Sequence, residues 1–358
     1  MSTSRQETFS GTKAVEAHLQ LDLTRLEPYL QRQIPDYQGP LTLKRFKGGQ
    51  SNPTYQLVTP GRSYVLRRKP SGALLPSAHA VDREYRVIKA LHEAGFPVPR
   101  PFVLCENVSI IGTMFYVMEM VEGRVLWEMT LPGMPVTERA AIYDSMVSTL
   151  ASLQRLDYKQ LGLTDFGKPT DYFARQLSRW GKTYGISETE TIPEMDRLNR
   201  WLPANVPGDD ETSLVHGDYR MDNVIMHPTE PRVVAVLDWE LSTLGHPLGD
   251  FTYHLLPWLL PTMGEKISNL GGVDLLSLGI PTLDQYISRY CALTGRAEIL
   301  HLDFYSAYTV WRLACIYQGI IKRVKEGTAA SSDAPQSADL VRELAAIAWG
   351  YAVKAGAR

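Results

Sequence analysis

Leu214-Val-His216-Gly217-Asp218-Tyr-Arg-Met-Asp-Asn223-Val-Ile-Met226 reads as a short apolar strand, a tight loop carrying an acid and an amide, and a second short strand. Seven residues on, Val233-Val-Ala-Val-Leu-Asp238-Trp-Glu240 reads as a buried strand that ends in a carboxylate. Together these segments are expected to set Asp218, Asn223 and Asp238 at the mouths of neighbouring strands. One carboxylate that aligns or deprotonates a hydroxyl, with an amide and a second carboxylate that hold Mg²⁺ on phosphates, is the equipment of ATP-dependent phosphoryl transfer.

Each residue also has a plainer reading. Asp218 could cap its own turn, and Asn223 could bridge the loop. Asp238 could be a structural acid receiving backbone N–H groups. The joint spacing favours the chemical reading, because an acid at the end of an apolar strand is costly unless a metal or donors compensate it. Gly217 permits a turn that a side chain would hinder. His216 lies beside the loop and is not read as the general base. Asp250, in Pro-Leu-Gly-Asp250-Phe, opens a helix and either bonds back to the loop or caps that helix.

Upstream, Leu41–Phe46, Thr54–Thr59 and Ser63–Arg68 are β-formers between Gly and Pro signals, so three antiparallel strands are expected. A helix follows over about 79–94, then strands over 101–106 and 114–121. Residues 1–40 read as a frayed start and one amphipathic helix around 21–34. In the loop between the first two strands, Gly48 and Gly49 would let backbone N–H groups approach phosphate, with Ser51 and Asn52 beside them. This loop matches neither Gly-x-Gly-x-x-Gly nor a Walker A sequence. By alternation Arg67 and Lys69 share one face of the third strand, and either could meet the α/β-phosphates. Glu84 on the next helix is the counter-charge for that cation. Glu119 and Met120, at an expected hinge, would offer backbone groups to an adenine edge.

After Gly123 helices are expected near 135–156, 170–184, 190–201, 248–259, 283–294, 302–326 and 336–353. The division is residues 1–120, a β-rich lobe with a five-stranded sheet, and residues 121–358, a helical lobe carrying the catalytic loop, metal site and acceptor region. At 358 residues and 44% hydrophobic the chain can bury a large core. A net charge of −2, without a basic run, argues against nucleic acid. The first residues lack a signal-peptide core, and Leu255–Leu260 is too short to span a membrane. Cys105, Cys291 and Cys315 have no ligand spacing and fit buried thiols in a reducing cytoplasm.

These residues together resemble the aminoglycoside phosphotransferase-like family, a relative of the protein kinases, over about Leu41–Leu260. Gly48 to Tyr55 and Tyr64 to Pro70 resemble the branch whose kinase-like domain is fused, in some larger proteins, to acyl-CoA dehydrogenases. The resemblance implies an α+β, bilobal protein-kinase-like fold, ATP and Mg²⁺. It makes Asp218 the catalytic base and Asn223 and Asp238 the metal ligands. It also implies a functional link to an acyl-CoA dehydrogenase. One departure stands out: many relatives carry lysine on the third strand where this chain offers Arg67, and the two cations are not interchangeable.

The acceptor is read less directly. Arg312 and Tyr317, on the helix expected at 302–326, could line a cationic, aromatic wall suited to a neutral or anionic hydroxylated metabolite such as a hydroxyacyl-CoA. An aminoglycoside kinase and a nucleotide-binding pseudokinase are the competing readings. A protein kinase lacks Asp-Phe-Gly and Ala-Pro-Glu segments here, and a dehydrogenase lacks its glycine fingerprint.

Overall fold

The computed structural model describes residues 10–47, 52–70, 80–208, 211–263, 267–327 and 339–358. The chain forms two compact units. Unit 1 holds residues 1–128, 159–163 and 220–242, and unit 2 holds 129–158, 164–219 and 243–358. The sequence division at 120/121 differs from this, because Arg220–Ser242, with Asn223 and Asp238, belongs to unit 1.

Unit 1 is built on a sheet whose strands are β1 (Thr12–Lys13), β2 (Thr42–Phe46), β3 (Thr54–Val58), β4 (Ser63–Arg68), β5 (Pro101–Cys105) and β6 (Phe115–Glu119), in the order β1-β2-β3-β4-β6-β5. All pairings are antiparallel. Five strands were expected, and β1 is the sixth. It consists of two residues at the edge, too short to show a period, and pairs Thr12 with Phe46 and Lys13 with Arg45.

The two-residue period of the strands gives the sheet two different faces. Tyr55 and Leu57 of β3, Tyr64 and Leu66 of β4, and Phe115 and Val117 of β6 enter one hydrophobic core. Helix α1 (Leu23–Gln33) covers that core with Leu26 and Leu30, and Asp22 caps it by accepting the Thr24 N–H at 3.1 Å. The alternate residues Gln56, Val65, Arg67, Tyr116 and Met118 line a cavity of about 720 Å³ on the other side. Helix α2 (Val81–Glu93) packs on β5 and β6 and buries Val81, Glu84, Val87, Ile88 and Leu91.

A second sheet of unit 1 joins β7 (Arg124–Val125), β9 (Val224–Met226) and β10 (Val233–Val236) in the order β10-β9-β7. Gly123 lies where a Cβ would collide with the Met226 carbonyl and the Ile225 side chain, so the chain passes close only because it is glycine. The strand before the Asp218 loop, β8 (Ser213–Val215), lies elsewhere. It pairs with β11 (Thr243–Gly245) in unit 2. The expectation that Asp218, Asn223 and Asp238 stand at the mouths of neighbouring strands is therefore corrected for Asp218, whose strand lies in another sheet, while Asn223 and Asp238 flank the paired β9 and β10. Adjacent short apolar strands carry no register signal, and β8 and β9 joined different sheets.

Unit 2 is mostly helical: α3 (Val136–Arg155), α4 (Tyr172–Ser187), α5 (Pro193–Ala204), α6 (Pro247–His254), α7 (Leu256–Leu259), α8 (Leu275–Leu278), α9 (Leu283–Thr294), α10 (Leu302–Lys325) and α11 (Asp339–Lys354). Helix α9 starts on a capping box between Thr282 and Gln285 and stops at left-handed Gly295. Helix α6 is buried at every residue, and its Thr252 hydroxyl meets Thr309 of α10 at 2.9 Å. Among the described residues no helix is long and apolar enough to cross a membrane, and all three cysteines are free and buried.

Gly249 of α6 faces the ring of Tyr172, where an added Cβ would lie 2.6 Å from a ring carbon. Gly249→Ala should therefore destabilise the protein by about 1–3 kcal/mol, as overpacking does, measured as a lower urea midpoint at unchanged m.

Candidate active site

Unit 1 assembles a charge cluster around Arg67, whose side chain is only 10% exposed. Its Nε lies 3.0 Å from Glu84 Oε2, and its Nη2 lies 2.7 Å from Asp238 Oδ1 and 3.1 Å from Glu240 Oε2. This gives a physical account of arginine at this position. The planar fork holds the α2 carboxylate along one edge and the carboxylates after β10 along the other, which a single ammonium would not do with the same geometry. Of the two cations left open by the alternation, Arg67 lines the cavity, while Lys69 pairs with Asp82 at 3.6 Å.

Burial pushes the Glu84 carboxyl up to about 7, against the pull of Arg67. Burial would lower the Arg67 guanidinium, but Glu84 and Asp238 hold it above its ordinary value.

Asn223 and Asp238 stand at adjacent ends of paired strands, since Val224 pairs with Val236 and the Leu237 N–H donates to the Asn223 carbonyl at 2.8 Å. Asp238 takes a left-handed conformation at φ 64° and ψ 62°, opening the single turn Trp239–Leu241. Such a backbone is uncommon for a residue with a Cβ, and aspartate is among those that tolerate it best. The Trp239 indole N–H donates to the Val236 carbonyl at 3.0 Å and fixes the turn.

Asp222, Asn223 and Asp238 all line the cavity, as do Glu119 and Met120. The Glu119 backbone N–H donates to the Arg100 carbonyl at 2.8 Å, and its carboxylate accepts the Arg100 N–H at 3.2 Å. Asn52 is buried and donates to Glu240 Oε2 at 3.3 Å. Gly48, Gly49 and Ser51 lie outside the described residues.

The donor set suits a hard cation. Asn223 offers an amide oxygen, and the Asp238 carboxylate keeps a third of its side chain exposed. Among the described residues no group of three or more His, Cys, Asp or Glu side chains could hold a metal by itself. A metal held here would therefore complete its shell with phosphate oxygens and water, the habit of Mg²⁺.

Unit 2 carries Asp218 on a loop fixed from beneath. Gly217 is left-handed at φ 87° and admits glycine without strain. Buried Asp250 accepts the Gly217 N–H at 2.7 Å and also the His216 N–H. The helix-opening acid thus bonds back to the loop. Burial pushes the Asp250 carboxyl above the usual range, opposed by His216, its two backbone bonds and Arg312. His216 is fully buried, and its Nδ1 accepts the Asp218 N–H at 3.2 Å. Tyr219, next in the chain, donates to the Met146 carbonyl of α3 at 2.9 Å.

Arg312 requires a correction. It was expected on a substrate-facing wall, but it is 3% exposed and donates to the Gly217 carbonyl at 2.7 Å. Tyr317 is half-buried on the same helix. Helical spacing set Arg312 in one row with Ile316, Gly319 and Arg323, but could not say that this row turns to the core at Arg312 and Gly319 and reaches solvent only at Arg323. Sequence reasoning also gave no role to Glu240 or Asp222, although Asp222 adjoins Asn223 and Glu240 lies two residues after Asp238.

Residues 42–269 match the sequence profile of the phosphotransferase enzyme family. The chain is 44% identical over 349 residues to acyl-CoA dehydrogenase family member 10 of Mus musculus; the match covers 97% of this chain and spans 33% of that protein's length. A Ralstonia eutropha protein of known crystal structure, provisionally named an aminoglycoside phosphotransferase, superposes with a TM-score of 0.85 at 48% identity, covering 94% of this chain and 99% of that one. A thermostable mutant of aminoglycoside phosphotransferase APH(4)-Ia, crystallised with ADP and hygromycin B, shares the fold at a TM-score of 0.57 and 14% identity, covering 93% of this chain and 98% of that one. The class is a kinase-like α+β phosphotransferase. This chain belongs to the phosphotransferase enzyme family, in the branch that resembles the kinase-like part of the acyl-CoA dehydrogenase family members.

The raised Glu84 carboxyl has a consequence for stability. A carboxyl whose folded value lies above its ordinary 4.5 contributes stability below 4.5 that is lost as pH rises through about 7. Buried His254, lowered to about 4, works in the opposite direction. The stability difference between wild type and Glu84→Gln is therefore the informative quantity. It should shift in favour of the variant as pH rises from 4.5 to 7, read from urea midpoints across that range.

Proposed function

We propose that this chain transfers the γ-phosphate of ATP, with Mg²⁺, to a hydroxyl of a small metabolite. The observation that carries this reading is the cavity in which Arg67, Glu84, Asp222, Asn223 and Asp238 stand together on unit 1. Its volume of about 720 Å³ lies in the range of ligand pockets.

In this reading Arg67, oriented by Glu84, presents donors to the α/β-phosphates. The backbone at Glu119 and Met120 bonds the adenine edge. Asn223 and Asp238 hold Mg²⁺, which when bound supplies positive charge to phosphate oxygens. Asp218 aligns the acceptor hydroxyl and takes its proton. The bond from the γ-phosphorus to the β–γ bridging oxygen breaks, a phosphate ester forms on the acceptor, and ADP leaves.

For the acceptor we propose a neutral or anionic hydroxylated metabolite of the hydroxyacyl-CoA kind. The support is the likeness to acyl-CoA dehydrogenase family members, which also suggests a functional link to such a dehydrogenase. Arg312, being buried, lends nothing to this choice.

Transfer from Mg-ATP should be measured across aminoglycosides, choline-like alcohols, sugars and hydroxyacyl-CoAs. The expected outcome is transfer to the hydroxyacyl-CoA class, lost by at least about 10³-fold in Asp218→Ala, since removing a reacting group leaves only binding and electrostatic contributions, while Mg-ATP affinity is kept. Transfer to aminoglycosides alone would replace the proposed acceptor. ATP binding without transfer to any class would leave a nucleotide-binding module.

A further inference from the structure

The peptide joining Gly217 to Asp218 is held at both ends by buried side chains of unit 2. Its carbonyl accepts from Arg312 Nη2 at 2.7 Å, and its N–H donates to His216 Nδ1 at 3.2 Å. The preceding peptide is pinned through the Gly217 N–H on Asp250. The plane of the Gly217–Asp218 peptide sets the direction of the Asp218 Cα–Cβ bond. Gly217, left-handed and lacking a Cβ, resists rotation of that plane less than any other residue would. The loop thus places a reacting carboxylate beside its most permissive backbone position.

We propose that Arg312 is a positioning residue for the phosphoryl-transfer reaction: its guanidinium locks the Gly217–Asp218 peptide and so aims the Asp218 carboxylate. The inference rests on the reading of Asp218 as the residue that aligns the acceptor. Arg312 reaches the loop from α10, 95 residues further along the chain. Its guanidinium lies 4.6 Å from the ring centre of Tyr253 and 5.4 Å from that of Trp180. A planar cation can lie against aromatic faces and still donate from its edge. The two rings fix the guanidinium, and the guanidinium fixes the carbonyl.

The electrostatics agree with this placement. Asp250 sits on the N–H side of Gly217 and Arg312 on its carbonyl side, and the field of Arg312 reaches both Asp250 and Asp218. Lysine would carry the charge but not the arrangement, because an ammonium is compact and strongly hydrated and cannot hold the same edge-on geometry between rings.

The test compares wild type, Arg312→Lys, Arg312→Ala and Asp218→Ala by four readouts: Mg-ATP affinity, turnover of Mg-ATP with and without acceptor, melting temperature, and hydrogen exchange of the loop amides. Arg312→Lys should lose about 10²-fold in kcat, the scale of a small misplacement of a reacting group, with KM for ATP within about twofold of wild type. Exchange at the Gly217 and Asp218 amides should quicken in Arg312→Lys and stay slow in Asp218→Ala. Added guanidinium at non-denaturing concentration should restore part of the turnover in Arg312→Ala. Wild-type kcat in Arg312→Lys, or unchanged exchange at those two amides, would overturn the proposal. So would a parallel fall of kcat, ATP affinity and melting temperature, which is what a merely structural arginine gives. Should Asp218→Ala keep its turnover, the reading of Asp218 fails instead, and the exchange data still report whether Arg312 holds the peptide.

Discussion

A guanidinium nine-tenths withdrawn from water must be answered by charge, and the answer organises unit 1. The alternation of β4 sends Arg67 to the cavity face while its neighbours Leu66 and Arg68 turn to the other. Arg68 goes to the Tyr55 hydroxyl, and its guanidinium lies 5.8 Å from that ring's centre. Arg67 then draws Glu84 from α2 and Asp238 and Glu240 from the turn after β10. Helix α2 must lie across that face for Glu84 to reach. Asp238 accepts a left-handed backbone where it does so. Removing one partner of a buried pair typically costs about 3–5 kcal/mol, because the other charge is left stranded. Segments separated by more than 150 residues therefore hold one another.

The loop of unit 2 obeys the same logic with a different currency of contacts. Asp250 and Arg312 are both buried, and each spends its charge on backbone groups of Gly217 rather than on a direct ion pair. Dipoles and charges fixed in advance need no reorganisation when a reaction develops charge, which is why enzymes bury them beside reacting groups. Both units thus use buried ionic groups to hold short turns, one carrying Asp238 and the other Asp218. The apolar cores supply the stability that permits this.

Tyr172 illustrates the cost. It lies against Gly245 and Gly249, and no room is left for a Cβ at either position. The packing that supports the helix carrying Asp250 is therefore specified by two glycines as much as by the aromatic ring.

The sequence by itself determined the longer strands and helices but not the short β1, β7, β11 and α8, and it determined the carboxylates and amide of the two quoted segments and that Arg67 and Lys69 share one face. Those features are local: a two-residue period, a glycine at a turn, an acid closing an apolar run. Only the tertiary structure decided which of Arg67 and Lys69 meets the acidic cluster, because both share a face and only the packing of α2 distinguishes them. It also decided that β8 and β9 join different sheets, since strands of three residues carry too little pattern to choose a partner. Arg312 shows the limit most plainly. Helical spacing named the residue, but its burial and its bond to a glycine carbonyl 95 positions away depend on how α10 packs against the loop, and no local periodicity encodes that.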